Sequence, residues 1–179
     1  LVAGLRESGM STIQYPDANS TLRLTYGNVS ALPADKRNDA KYNYYTTLQG
    51  AINKYKPNDE EFDLPKRLME LNDKKDFGEY ADKAGYMPVC FLTDNDITGG
   101  NSGSPVINAW GEIVGTAFDG NWEAMSGDIA FENEIQRTIS VDIRYTMFII
   151  DKFAGATHLI DEMTIAPTHL EKTIETDIK

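Results

Sequence analysis

Between Gly99 and Ser104 the chain sets three glycines and two serines in six residues, Gly99-Gly100-Asn101-Ser102-Gly103-Ser104, then turns into the apolar run Pro105-Val106-Ile107. Three kinds of chemistry fit such a stretch: a plain turn, a cradle for phosphate, or a mould that presents a serine hydroxyl as a nucleophile. A phosphate loop of the Walker type needs Gly-Lys-Ser or Gly-Lys-Thr after its glycines and a helix beyond them. No lysine is present here, and Pro105 leads into residues of strand character. That exit also argues against a Gly-x-Ser-x-Gly elbow, which joins a strand to a helix. A serine hydroxyl is a poor nucleophile without a base, and the chain holds only His158 and His169, both well after Ser102. His158 follows the last helical pattern and reads as a surface or helix-end residue. His169 lies in the polar tail.

The elements that must position Ser102 are mostly short and β-like. Thr21-Leu22-Arg23-Leu24-Thr25-Tyr26 alternates apolar and polar residues with period two, the pattern of a half-buried strand. Aromatic and β-branched residues at 42–48 suggest another strand. Further pieces are expected at 88–92, 104–108, 112–118, 129–131 and 138–143, with the glycine of Asn108-Ala109-Trp110-Gly111-Glu112 at a hairpin turn. Residues 54–84 differ: they are highly charged, with Pro65 suited to a first helical turn and Leu68 and Leu71 on one apolar side. They read as a helical excursion ending near Gly78 or Gly85, its charges forming a solvated face. At 142–154 the spacing of Ile143, Met147, Ile150 and Ala154 predicts an amphipathic helix, widened by Phe148 and Phe153, with Asp142 as its cap and Gly155 at its end. The class is thus mainly β, a barrel or sandwich closed by one C-terminal helix. Residues 1–20 form a lead-in with loop signals at Gly4, Gly9 and Tyr15-Pro16-Asp17, and the residues after Met163 form a polar tail.

Composition narrows the partners. A chain of 179 residues suits one domain with a sizeable core. Its net charge of −11 argues against nucleic acid and anionic membrane surfaces, which are held mainly by Lys and Arg. No apolar run approaches the roughly 20 residues that span a bilayer. The single cysteine, Cys90, lies in the apolar run Val89-Cys90-Phe91-Leu92 and is expected to pack as a small hydrophobe. Leu1 is not an initiator methionine, so a longer parent chain is expected.

Gly-Gly-Asn-Ser-Gly-Ser-Pro before β-branched residues resembles the nucleophile loop of chymotrypsin-fold serine peptidases. That resemblance implies Ser102 as nucleophile, with the N–H groups of Gly100 and Ser102 as the oxyanion hole, a device that contributes about 3 kcal/mol per donor. It implies that Gly103 leaves room beside the nucleophile and that Pro105 fixes the exit into the strand. In that chain order the histidine and aspartate precede the serine, so both are expected upstream of Leu1.

Longer stretches carry a more specific likeness. Residues 17–27 (DANSTLRLTYG), 96–106 (DITGGNSGSPV), 118–131 (FDGNWEAMSGDIAF), 136–145 (QRTISVDIRY) and 150–163 (IDKFAGATHLIDEM) resemble the C-terminal region of the bacterial dipeptidyl-peptidase 7 and 11 family. The resemblance implies the second, six-stranded barrel of a chymotrypsin-like double β-barrel, spanning 21–163. The first barrel and most of an inserted helical domain would be contributed by upstream chain, with residues 1–20 leading in from that domain. It implies a homodimeric enzyme of the periplasm or cell surface of a Gram-negative bacterium. Such an enzyme removes dipeptides from peptides with a free N-terminus, using no cofactor and no metal, and the part seen here would be inactive alone. Asp119 then matches the aspartate that holds the substrate's α-ammonium. Gly120 matches a position where members that prefer acidic residues carry arginine. Glycine there implies an open, uncharged pocket for apolar or bulky penultimate residues, the dipeptidyl-peptidase 7 behaviour. Trp122, Met125 and Phe131 are expected to pack. The competing reading is a non-catalytic interaction domain built on a relic of the barrel, against which the intact serine loop and Asp119 both speak.

Overall fold

The structure, a computed structural model, describes residues 2–9, 17–33, 44–127 and 131–166. A short helix α1, Val2–Glu7, opens the chain with Gly4 inside it, and Gly9 follows at φ +71°. Five antiparallel strands then form one sheet in the order β1-β2-β5-β4-β3. They are β1, Tyr45–Thr47; β2, Pro88–Thr93; β3, Pro105–Ile107; β4, Ile113–Gly120; and β5, Thr138–Asp142. All lie within or close to the segments expected from the sequence. The strand expected at 129–131 falls mostly outside the described residues, and Phe131 itself belongs to no strand.

The expected six-stranded closure is not what the described residues form. The sheet is open, with β1 and β3 as its edges, and the period-two segment 21–26 joins no strand ladder. Its polar side chains explain why. Thr25 Oγ1 donates to the Asp96 carbonyl and Arg23 Nη1 to Thr98 Oγ1, so the segment is bound sideways to the loop before Ser102. Only Val29, pairing with Thr93, makes a β-bridge. The alternation was real, but the apolar side faces outward: Leu22, Leu24 and Tyr26 are exposed.

The helical excursion expected at 54–84 is present as α3, Lys66–Asp73, and an unexpected short helix, α2, Leu48–Ile52, precedes it directly after β1. Thr47 caps α2 by accepting from Gly50 N, and Pro65 precedes α3, where a missing N–H costs nothing. Leu68 and Leu71 are buried while Lys66, Arg67, Glu70 and Asp73 face solvent, as the spacing predicts. A 3₁₀ turn, Gly78–Tyr80, and Gly85 at φ +81° lead back to the sheet.

Asp142 starts α4, Ile143–Phe148, accepting from Arg144 N at 2.9 Å and from Arg144 Nη2 at 2.7 Å. The expected helix then widens into a π-helical turn, Ile149–Phe153, in which Ala154 N donates to Ile149 O at 2.8 Å. The wider turn shifts the phase of later residues. Met147 and Phe148, before the wide turn, are buried as expected, whereas Ala154, after it, is exposed. Gly155, at φ +68°, ends the helix, and α5, Thr157–Asp161, follows.

Leu48, Leu68, Leu71, Phe77, Tyr80, Met87, Met147 and Phe148 form the core where α2, α3 and α4 meet. Phe77 meets Phe148 edge-on at 5.9 Å between centroids, a favoured aromatic geometry. Arg67 fastens α3 to the wide turn through the carbonyls of Lys152 and Phe153, at 2.8 and 2.9 Å. Tyr80 donates to Asp151 at 3.2 Å, and burial with that carboxylate beside it pushes its hydroxyl up to about 12.

Candidate active site

Ser102 lies in the loop between β2 and β3 and is exposed. Two glycines shape this loop: Gly100 at φ +97° and Gly103 at φ +83°, both left-handed values that other residues adopt only with strain. A side chain at Gly100 would also collide with Ala18, whereas Gly103 has open space around it. Among the described residues Gly103 is required for its backbone conformation.

Asn101 braces the turn from within. Its side-chain oxygen accepts from Thr98 N at 3.1 Å, its N–H donates to Thr98 O at 3.1 Å, and its carbonyl accepts from Ser104 N at 3.0 Å. Gly103 N donates to Ala117 O at 2.8 Å and Ala117 N to Ser104 O at 3.0 Å, which anchors the loop to β4. Pro105 then opens β3, as its position suggested. Among the described residues the N–H groups of Gly100 and Ser102 donate to no protein group. The loop is not a hairpin ladder, because the amides that a ladder would consume are free.

The Ser102 hydroxyl donates to the carbonyl of Phe118 at 3.2 Å. A bulge in β4 between Ala117 and Asp119 falls at this residue and re-aims the strand end. Asp119 and Gly120 follow directly, so β4 brings both to the serine loop. Asp119 is exposed, and one carboxylate oxygen accepts from Gly120 N at 2.8 Å. A Cβ on Gly120 would stand 2.8 Å from that of Ala124 in the 3₁₀ turn Trp122–Ser126. Gly120 is therefore also a packing requirement.

Three residues that sequence reasoning missed hold this wall. Asn121 is buried; it accepts from Arg137 N at 2.8 Å and donates to Ile135 O at 2.8 Å. Gln136 donates to Glu123 O at 2.8 Å and to Ser126 Oγ at 3.1 Å. Buried Arg137 has its guanidinium satisfied by backbone carbonyls, including Ala31 O at 2.9 Å and Asn133 O at 2.8 Å. Buried polar groups need such partners; the local sequence around them carried no signal of a role. Trp122 and Met125, expected to pack, are instead 79% and 76% exposed beside Gly120. The turn that carries them is fixed through Asn121 and Gln136, leaving both apolar side chains free.

His158 is exposed on α5, which packs on the wide turn after α4, and His169 lies outside the described residues. No histidine or carboxylate among the described residues bonds to Ser102 Oγ. Cys90 is half-buried; burial pushes its thiol up and keeps it protonated. No helix of the described residues is long and apolar enough to cross a membrane.

A presented serine with free flanking amides, set against the end of a bulged strand, can attack a carbonyl once a base is supplied. The Peptidase S46 family model matches residues 1–165. The chain belongs to the Peptidase S46 family. Among similar proteins, dipeptidyl-peptidase 7 of Capnocytophaga gingivalis is 64% identical over 165 residues, which is 92% of this chain and 23% of that protein. The Asp/Glu-specific dipeptidyl-peptidase of Porphyromonas gingivalis is 48% identical over 166 residues, 93% of this chain and 23% of the relative. The crystal structure of Porphyromonas endodontalis DPP11 in complex with the dipeptide Arg-Glu matches with a TM-score of 0.77 at 44% identity, covering 89% of this chain and 23% of that one. This S46 chain thus spans under a quarter of the length of the relatives it matches.

Proposed function

We propose that this S46 chain carries the nucleophile and part of the substrate wall of a serine-type dipeptidyl-peptidase. The carrying observation is the exposed Ser102 hydroxyl, 3.2 Å from Phe118 O beside Asp119, with the Gly100 and Ser102 amides unengaged. In this reading Ser102 attacks the scissile carbonyl and the two amides receive the developing oxyanion. A histidine and an aspartate from other parts of the full-length polypeptide take and return the proton.

Asp119 pairs with the substrate's α-ammonium. A charge-assisted bond to a free amine accounts for cleavage two residues from the N-terminus, since a blocked amine would leave the carboxylate unpaired. Gly120 contributes no charge, and exposed Trp122 and Met125 add apolar surface beside it, so apolar or bulky penultimate residues are favoured. The sheet order leaves β1 and β3 as free edges, which supports closure into the second barrel of a double-barrel enzyme in the full-length protein. A homodimer of the periplasm or cell surface completes the proposal, on the strength of the family likeness alone.

The test uses full-length protein and dipeptidyl fluorogenic reporters with free or acetylated N-termini. Ser102→Ala is expected to lower kcat by about four orders of magnitude or more, and acetylation is expected to abolish turnover. The isolated 179-residue chain is expected to be inactive for want of a base. Reporter cleavage by the isolated chain, or a full-length Ser102→Ala enzyme that still turns over, would overturn the assignment.

A further inference from the structure

We infer that Arg23 is a positioning residue that holds the Gly99–Gly100 peptide in the orientation needed for Gly100 N–H to serve the oxyanion; this rests on the nucleophile reading above. The segment 17–28 runs along 94–99 and is bonded to it repeatedly. Asn28 N donates to Asp94 Oδ1 at 2.7 Å, Thr25 Oγ1 to Asp96 O at 2.6 Å, and Arg23 Nη1 to Thr98 Oγ1 at 2.8 Å. Three bonds converge on Gly99: Ala18 N to Gly99 O at 2.9 Å, Arg23 Nη2 to the same oxygen at 3.3 Å, and Gly99 N to Asp17 Oδ1 at 3.1 Å.

The geometry of a peptide bond makes this convergence consequential. In a planar trans peptide the C=O of one residue and the N–H of the next point in opposite directions. Holding the Gly99 carbonyl against Ala18 and Arg23 therefore turns the Gly100 N–H to the side away from this segment. The loop supplies no side chain of its own at this peptide to hold that plane. Gly99 and Gly100 carry no side chains, and Gly100 sits at φ +97°, so a rotation of the intervening peptide meets little steric resistance. If the peptide turned over, its carbonyl would face the oxyanion in place of a donor.

Arg23 supplies what a backbone donor alone lacks. Its planar fork binds the Thr98 hydroxyl and the Gly99 carbonyl together, so the two residues before Gly100 are held as one unit. Ala18 makes a second contact at the plane, since its Cβ fills the space that a Gly100 side chain would need.

The test compares full-length wild type with Arg23→Lys, Arg23→Met and Thr98→Val. Losing an oxyanion donor outright lowers kcat by about 100- to 1000-fold. Arg23→Met leaves Ala18 N in place, so a fall of about 10- to 100-fold in kcat with nearly unchanged KM is expected. Affinity for a dipeptidyl aldehyde, which forms a tetrahedral adduct, should fall by the same factor as kcat/KM. Affinity for the product dipeptide should stay at wild-type level. Arg23→Lys keeps the charge but not the fork and should fall between the two. Thr98→Val should lose activity in the same direction, and added guanidine should restore part of the rate to Arg23→Met but not to Thr98→Val. Wild-type kcat in Arg23→Met, or equal losses of aldehyde and product-dipeptide affinity, would overturn the inference. Ser102→Ala run alongside separates the two readings: full activity in Ser102→Ala would discard the nucleophile itself. An inactive Ser102→Ala beside a fully active Arg23→Met would discard only the role of Arg23.

Discussion

In the function proposed above, Gly120 serves specificity and packing together. Its absent side chain leaves the pocket uncharged, and its absent Cβ lets the Trp122–Ser126 turn close to within 2.8 Å of where a Cβ would stand. Arginine at this position can recruit acidic penultimate residues only if that turn gives way. Gly120→Arg alone is therefore expected to impair all substrates of the full-length enzyme. Gly120→Arg with Ala124→Gly should raise the kcat/KM ratio for penultimate Glu over Leu by at least about tenfold, the value of one charge-assisted bond. Parallel reporters with Glu and Leu would read this, and no change in the ratio would remove Gly120 from the pocket. At this scale the sequence was most informative about Ser102, because the left-handed glycines and the following proline act locally. It was silent about Arg23, whose partner Thr98 lies 75 positions away. It misjudged Trp122 and Met125, since composition does not tell which way a short turn faces.

Among the elements, β4 anchors the Ser102 loop and carries Asp119 and Gly120, and its fit against β5 depends on Gly115. A Cβ there would stand 2.6 Å from Val141 O and 2.7 Å from the Phe91 ring. Both contacts are tighter than atoms tolerate, and one is backbone in the neighbouring strand. Gly115→Ala is expected to cost about 1–3 kcal/mol, the usual range for overpacking, read as a lower urea midpoint with a parallel loss of activity. An unchanged midpoint would mean that the strands can spread without penalty. The strand segments themselves were legible from alternation and turn residues. The segment 21–26 shows the limit of that signal: period two reports an extended backbone with two unlike sides, not which side the rest of the protein covers. Here Arg23 and Thr25 bind inward, and the apolar side is left outward.

For the molecule as a whole, the buried core lies under the helices and not within a closed sheet, so the link between excursion and C-terminal helix carries much of the stability. Tyr80 and Asp151 form part of that link. Tyr80 is pushed up to about 12 by burial first and by Asp151 second, against a reference of about 10 in an unfolded chain. Because the folded value is raised, its contribution is fully present below about pH 10 and is lost as pH climbs towards 12. Tyr80→Phe should flatten that part of the profile. Urea midpoints at about pH 9 and about pH 11 should fall further for wild type than for Tyr80→Phe; equal falls would place the alkaline sensitivity elsewhere. The mainly β class and the helical excursion could be read from apolar alternation, turn residues and the charged stretch around Pro65. Closure could not, because alternation and turn residues mark strands one by one and do not say which edges pair.

The wide turn at Ile149–Phe153 makes chain length itself a structural variable. A π-helical turn is an α-helix that has taken in one additional residue. Deleting one residue there would let the turn close into a plain α-helix with what lies beyond it held nearly in place, whereas a further insertion in a regular turn would swing everything beyond it by about 100°. Gly155 would no longer arrive where the helix must stop, and the carbonyls that Arg67 grasps would point elsewhere. The turn has already taken in its one additional residue, so a loss of a single codon would be absorbed here while a further gain would be felt across the C-terminal side.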